Sequence, residues 1–281
     1  MKVPDHLHGA VDLHVHSSPD TDARRYNDLE LAREAARAGM SALLIKSHLF
    51  STVERAWLVS QVVTGIQVFG GIVLNATVGG FNPAAVEAAL KLGAKQVWMP
   101  TRSALNHRRA EGIFGGLTPL DNNGNLLPDV EEILRLIADS DCILGTGHLS
   151  PEEACVVMER AREVGVRKVL VTHPEWSVTF YSVELQRKLA AFGNVWFERC
   201  FVSTTHRCGY TSMSVIENAI ADVGVAATVI ATDLGQPDTP PPAEGFQIYA
   251  ERLRISGFSV DDIRQMMCNT PRFLLGAQPA E

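Results

Sequence analysis

Short runs rich in β-branched and other apolar residues alternate along this chain of 281 residues with segments of helical periodicity. In one such segment, Val130, Ile133, Leu134 and Ile137 recur at the spacing of a buried helix face. Most runs begin 26 to 32 residues after the previous one. This cadence predicts a closed parallel (β/α)8 barrel, the TIM-barrel fold of the α/β class, in one domain over residues 1–281. The predicted strands cover residues 10–17, 41–48, 67–75, 95–101, 142–149, 168–175, 195–201 and 227–235.

One interval is longer than the rest, because the fifth run begins 47 residues after the fourth. Residues 102–128, between these two runs, are rich in Gly, Asn and Arg. We interpret this segment as an inserted loop after strand 4, at the end of the barrel that carries function, and expect it to cover the site. The proline-rich residues 236–242 predict a second long loop after strand 8, and an extra C-terminal helix is expected beyond it.

Charge and hydropathy exclude several classes of partner. The 25 Lys and Arg residues are outnumbered by 32 Asp and Glu residues, so no excess of positive charge is available to neutralise a nucleic-acid backbone. No run approaches the roughly 20 apolar residues of a membrane span, and the first residues lack the apolar segment of a signal peptide. We therefore expect a cytoplasmic protein with reduced cysteines that binds neither nucleic acid nor membranes, with a homo-oligomer left open.

Polar residues end several predicted strands, where side chains of a barrel converge. A single histidine in such a position usually packs at the core or rim. Here the histidines come from four strands, and burying them together without a cation would leave polar groups unpaired. This pattern predicts a site for one or two divalent ions, zinc before manganese, iron or nickel. The candidate ligands are His14, His16, His48, His148, His173 and Asp233, with Asp12 one layer below.

These strand ends, together with the closing segment Asn-Thr-Pro-Arg-Phe-Leu-Leu-Gly at residues 269–276, resemble the amidohydrolase superfamily over nearly the whole chain. In that superfamily, histidines of strands 1, 5 and 6 and an aspartate of strand 8 hold the metal, and the aspartate shuttles a proton. The resemblance implies these roles for His14, His16, His148, His173 and Asp233.

Residues 12–17 also resemble the opening Asp-x-His-x-His-Ser of the polymerase and histidinol phosphatase (PHP) family. That family ends its second strand in Asp-His, where this chain has Ser47-His48, and Asp233 is not followed by the histidine of a later Asp-x-His. The amidohydrolases are therefore the closer resemblance.

The fourth strand departs from the two-metal amidohydrolases, which usually take a bridging carboxylated lysine or glutamate there. Here it ends in Met-Pro-Thr-Arg at residues 99–102. A carboxylated Lys46 or Glu198 are the two candidate replacements, and one-metal and two-metal sites stay open. Lys46 could instead be a rim residue or a Schiff-base lysine.

A cluster of cations lies in the predicted insert. Such a run is usually a solvated face, but guanidinium groups at the mouth would bind a carboxylate or phosphate of a small-molecule substrate. The candidate substrate-binding residues are Arg102, His107, Arg108, Arg109 and His206.

We therefore predict a metal-dependent hydrolase that uses metal-activated water to cleave an amide, lactone or ester bond of a small anionic substrate. Asp233 is the predicted proton carrier, with Lys46 and Glu198 as further catalytic candidates. The alternatives are a PHP-like phosphoesterase, a metal-free lyase or lactonase that uses Lys46, and a non-catalytic barrel that binds a small acid.

Overall fold

The computed structural model describes residues 7–277 and contains eight parallel strands whose order in the sheet is the order in the sequence. Each strand lies within one of the predicted apolar runs and is buried against its neighbours. Helices alternate with strands along the chain. The (β/α)8 prediction is therefore confirmed. The strands are β1 Val11–Val15, β2 Ala42–Ile45, β3 Gln67–Val73, β4 Gln96–Trp98, β5 Ile143–Gly145, β6 Val169–Thr172, β7 Val195–Cys200 and β8 Thr228–Ala231.

The barrel closes where the chain beyond β8 lies against β1. The amide of Asp233 donates to the His14 carbonyl at 2.7 Å, and the amide of His16 donates to the Leu234 carbonyl at 2.8 Å. Gly235 comes next, with φ +134°, and a Cβ there would lie 2.0 Å from the His16 carbonyl oxygen. Only glycine therefore permits this close approach.

Helices surround the strands, and their starts follow the capping chemistry of the sequence. Ser150 forms a capping box with Glu153, and Asn82 accepts a hydrogen bond from the Ala85 amide just before a proline at the first helical position. The helices are α1 Asp28–Arg37, α2 Val53–Ser60, α3 Pro83–Lys91, α4 Leu105–Ala110, α5 Pro128–Asp139, α6 Pro151–Glu163, α7 Val183–Ala190, α8 Met213–Val223, α9 Pro242–Ile255, α10 Val260–Arg264 and α11 Thr270–Leu275.

The inside of the barrel is a packed core. Val11, Leu13, Leu44 and Trp98 are fully buried there, and Leu274 of the C-terminal helix α11 packs against the same cluster. Two larger apolar clusters fill the space between the strands and the surrounding helices. The interior is thus solid, which leaves the loops that follow the strands to form a site.

The segment after β4 is an ordered excursion. It contains the short helix α4, and a bridge between Ala104 and Leu117 ties its two ends together, with the Leu105 amide 2.7 Å from the Leu117 carbonyl. The insert contributes to the wall of a cavity at this end of the barrel. None of the helices within residues 7–277 is both long and apolar enough to cross a bilayer.

Candidate functional site

A cavity of about 880 Å³ opens where the strands end. Its lining is rich in titratable side chains, with those that follow the strands at the floor and those of the longer loops at the rim. The floor residues are His16, His48, His148, His173 and Asp233. The rim includes Arg24, Arg102, His107, Glu111, Trp176, Arg207 and Asp238.

Three imidazoles converge on one carboxylate at the floor. The Nε2 atoms of His14 and His16 lie 3.0 and 2.9 Å from Oδ1 of Asp233, and Nε2 of His173 lies 3.3 Å from Oδ2. His14 and His16 share one face of β1 because side chains alternate along a strand. Residues that are far apart in the sequence are thus brought together by closure of the barrel.

His14 is also held from below. Its Nδ1 lies 3.0 Å from Oε2 of Glu198, and both side chains are fully buried. A carboxylate accepts hydrogen bonds, so this contact requires a proton on Nδ1 of His14, and Nε2 is the ring nitrogen that faces Asp233. Lys46 is 1% exposed and approaches the same Nε2 with its Nζ at 2.9 Å.

The pKa values of these groups are shifted in different directions. Burial alone would raise the pKa of Asp233, but the imidazoles of His14, His16 and His173 hold it well below its usual range. Burial lowers the pKa of His173 to about 3 and also lowers the pKa of Lys46. For His14, burial opposes protonation, yet the carboxylates of Asp233 and Glu198 raise its pKa. A carboxylate is thus kept ionised beside imidazoles whose pKa values are shifted in opposite directions, upwards for His14 and downwards for His173.

His48 and His148 lie farther along the floor. The His48 ring stacks on His16 with centroids 4.9 Å apart, and its Nδ1 is 2.8 Å from the Thr101 hydroxyl. His148 faces His107 of the insert, with their Nδ1 atoms 3.0 Å apart. Burial holds the pKa of both floor histidines well below the ordinary value.

The rim carries arginines from three loops, and each is paired with an acid. Arg24 contacts Asp20 at 2.9 Å, Arg102 contacts Asp22 at 2.6 Å, and Arg207 contacts Asp238 at 2.6 Å. In the described part of the chain, the guanidinium groups that line the cavity are these three.

The other predicted substrate-binding residues lie elsewhere. The Arg108 guanidinium donates to the carbonyls of Gly115 and Phe114 within the insert, and Arg109 is exposed. His206 contacts Asp238 at 2.9 Å from outside the cavity lining. Of the predicted set, Arg102 and His107 reach the cavity.

Some residues of the site were not foreseen from the sequence. Cys200, expected only to be a reduced cysteine, lies with Sγ 3.7 Å from Nδ1 of His14, and this sulfur is within 4.8 Å of the possible ligand atoms of His14, His173 and Asp233. Arg24 and Trp176 lie on loops, where no periodicity marks them. His173 and Asp233 both have φ +51°, an uncommon conformation that aims both side chains at the cavity.

The donor set fits a divalent metal. Imidazole nitrogens and a carboxylate oxygen are ligands that zinc and its neighbours accept, and the residues that could hold an ion are His14, His16, His173 and Asp233. Several buried polar atoms here have no partner in the described residues: Nδ1 of His16 and His173, Nε2 of His148 and Oε1 of Glu198. Such unsatisfied atoms are typical of a site that receives a ligand.

Solved structures with the same fold are enzymes by name. An amidohydrolase from Pseudomonas aeruginosa is 15% identical with a TM-score of 0.64, and 98% of each chain is covered. A putative 2-pyrone-4,6-dicarboxylic acid hydrolase from Pseudomonas putida is 18% identical with a TM-score of 0.59, over 95% of this chain and 97% of that one. A 2,6-dihydroxybenzoate decarboxylase from Rhizobium is 12% identical with a TM-score of 0.53, over 96% and 99%.

At these identities the likeness shows the fold of the amidohydrolases. No curated protein sequence matches the chain. A family model does match, over residues 9–198, which include β1 to β6 and most of β7. This match covers more than half of the sequence, and the chain therefore belongs to the family of unknown function DUF6282.

Proposed function

We propose that this protein is a metal-dependent hydrolase of the amidohydrolase superfamily that acts on a small anionic substrate. The observation that carries the proposal is the convergence of three imidazole Nε2 atoms within 3.3 Å of the Asp233 carboxylate, at the floor of a cavity. The fold shared with amidohydrolases supports it. Five free cysteines, three of them buried, support a reducing compartment such as the cytoplasm.

His14, His16, His173 and Asp233 would hold one ion, with zinc first and manganese, iron or nickel as alternatives. When bound, such an ion lowers the pKa of water and polarises a carbonyl or phosphoryl oxygen. Glu198 keeps the proton of His14 on Nδ1, so that Nε2 can act as a ligand.

Asp233 is the proton carrier of this proposal. Its carboxyl group is ionised because the imidazoles lower its pKa. It can therefore accept a proton from the attacking water and return it to the departing group. The bond cleaved is an amide, lactone or ester in the first instance, and a phosphoester in the second, because of the PHP-like first strand.

The substrate is a carboxylate or phosphate in this proposal. Arg24, Arg102 and Arg207 reach the cavity from separate loops, and the planar guanidinium group binds both kinds of anion through paired hydrogen bonds. Two similar structures have names that refer to a dicarboxylic acid and a dihydroxybenzoate, which supports an acidic substrate.

A metal-free reaction through Lys46 is the second candidate, favoured by the burial that lowers the lysine pKa. However, the Nζ of Lys46 contacts Nε2 of His14, and Lys46 is outside the cavity lining among the described residues. The metal-dependent reaction therefore takes precedence.

The test combines metal analysis with a substrate panel. Protein purified without chelator is expected to contain about one divalent ion per chain and to turn over a member of a panel of lactones, esters, amides and phosphoesters that carry a second acidic group. The panel also includes aromatic acids monitored for CO2 release. Asp233→Asn is expected to lower kcat by about 10²-fold to 10⁴-fold, the usual contribution of a proton carrier.

Loss of turnover on chelation, restored by zinc, completes the expected result. Full turnover in Asp233→Asn would remove the proton-carrier role. A borohydride-trapped adduct on Lys46 in metal-free protein would favour the lyase. A metal-loaded protein that is inert across the whole panel would favour a non-catalytic binding barrel.

A further inference from the structure

We propose that His107 and Glu111 of the insert are positioning residues that fix the proton of His148 on Nδ1, so that its Nε2 faces the cavity as a bare hydrogen-bond acceptor. The arrangement of protons follows from geometry alone. Its chemical consequence rests on the proposed function, since a bare nitrogen matters there as a partner for water or substrate.

A chain of three side chains leads from the surface to the floor. Oε1 of Glu111, whose side chain is 53% exposed, lies 3.3 Å from Nε2 of His107. Nδ1 of His107 lies 3.0 Å from Nδ1 of His148. His107 and His148 are both buried.

The direction of the hydrogen bonds is set by the carboxylate at the outer end. An ionised carboxylate only accepts, so Oε1 of Glu111 at 3.3 Å favours a proton on Nε2 of His107 over a bare nitrogen there. A neutral imidazole carries one proton, which leaves Nδ1 of His107 as an acceptor. Nδ1 of His148 must then be the donor, because two bare nitrogens 3.0 Å apart would repel each other. Nε2 of His148 is therefore unprotonated.

The free end of this chain is where a ligand would meet it. Within residues 7–277, Nε2 of His148 is buried without a hydrogen-bond partner, and His148 lines the cavity. The Trp176 ring packs edge-on against His148, at 5.1 Å between centroids, and contacts the His107 ring at 5.7 Å. The Trp176 ring thus contacts both imidazoles and helps to hold them in place.

The insert also fixes the backbone of His148. Nδ2 of Asn106, the residue before His107 on α4, donates to the His148 carbonyl at 3.2 Å and to the Val178 carbonyl at 2.7 Å. Two consecutive residues of α4 therefore hold His148. Asn106 contacts its main-chain carbonyl, and His107 contacts its ring. This gives the insert a role beyond covering the cavity.

The tautomer of His148 determines whether this point of the cavity wall accepts or donates a hydrogen bond. With the proton on Nδ1, His148 can accept a hydrogen bond or a proton from water or a substrate hydroxyl. With the opposite tautomer, it would present a donor there. A buried carboxylate can fix the tautomer of a histidine by accepting its N–H directly. Here Glu111 would fix the tautomer of His148 in the same way, but through His107.

The direct test is the tautomer of His148, from the ¹⁵N chemical shifts of its ring nitrogens in the full-length protein, with and without zinc. We expect Nδ1 protonated and Nε2 bare in the metal-free protein. A proton on Nε2 of His148 in the wild-type protein would overturn the proposal without any variant being made.

Two substitutions of His107 separate positioning from packing. His107→Phe keeps a ring against Trp176 but removes the acceptor, whereas His107→Asn loses the ring but places an amide oxygen near the position of Nδ1. We expect His148 to lose its single tautomer in His107→Phe and to regain it in His107→Asn. With any substrate from the panel, kcat is expected to fall about 10-fold to 100-fold in His107→Phe and to recover largely in His107→Asn.

Glu111→Gln tests the outer end, and Glu87→Gln, an exposed carboxylate paired with Lys91 on α3, is its matched control. We expect the His148 tautomer to become mixed in Glu111→Gln and to stay unchanged in Glu87→Gln. An unchanged tautomer in both His107→Phe and Glu111→Gln would contradict the proposal. Zinc content measured on the same samples reports on the metal centre separately, so failure of one proposal is distinguishable from failure of the other.

Discussion

The floor and the rim of the cavity are built in opposite ways. At the floor, His16 and Asp233, together with the fully buried His14 behind them, are held by main-chain pairing between the first strand and the end of the last, and His14 and His16 are at most 1% exposed. At the rim, Arg102 and Arg207 extend from loops, are nearly half exposed, and contact acids of neighbouring loops. The floor is fixed by the fold, whereas the rim is held by contacts that a ligand can replace.

This difference assigns separate tasks to the two regions. A metal requires ligands placed within a fraction of an ångström, which strand ends provide. An acidic substrate needs cations that are available when it arrives, and an exposed ion pair contributes little and exchanges easily. We therefore expect floor substitutions to alter metal binding and rim substitutions to alter substrate affinity.

The largest effect in this comparison is expected for Glu198→Gln. Removing the charge that holds the Nδ1 proton of His14 should weaken zinc binding by about 10-fold to 100-fold, as is usual for groups that orient a metal ligand. Competition titration with a zinc chelator measures the change. Asp238→Asn at the rim should leave zinc affinity unchanged, and equal losses in both variants would break the distinction.

Arg102→Met is expected to have a smaller effect on a different constant. Loss of one charge-assisted hydrogen bond of about 1.5 kcal/mol to the substrate should raise KM about 10-fold with kcat nearly unchanged. Steady-state kinetics with the substrate found in the panel measures both constants. Arg109→Met, an exposed arginine of the same insert, is the matched control. A fall in kcat at constant KM in Arg102→Met would move this residue from recognition to chemistry.

The smallest effect is a local titration at the rim. Hydrogen bonds from Arg207 and His206 lower the pKa of Asp238 to about 2, from an ordinary value of 3.8. Because the folded pKa is the lower one, the contribution of this contact is present above pH 3.8 and is lost as the pH falls towards 2. In Arg207→Gln the pKa should rise towards 3.8, as measured by NMR titration of the carboxyl carbon. An unchanged pKa would show that Arg207 is not the partner in solution.

Much of the architecture could be predicted because it depends on short-range patterns. Alternation of apolar runs and helical segments predicts the barrel, and the period of two along a strand places His14 and His16 on one face. The caps at Asn82 and Ser150 are local in the same sense. The 47-residue interval predicts the insert, although not its helix.

The finer organisation of the site depends on closure and on loop conformation, which no local pattern encodes. Glu198 was a candidate bridging ligand, and the structure places it under His14. His107 was a candidate for substrate binding, and it faces another histidine because α4 turns its ring inward. Arg24 carries no signal in the sequence, since its position follows from the path of the loop after β1.

Gly235 permits the segment after β8 to pack against the main chain of His16, and the cavity floor forms only when this contact is made. The proposed ion would join the two edges of the sheet, with His14 and His16 on the first strand and Asp233 just after the last one. A growing chain that has not yet docked its last strand lacks Asp233, one of the four proposed ligands. Loading with metal would therefore come after β8 has docked, and the ion would then link the first strand to the segment that follows the last strand.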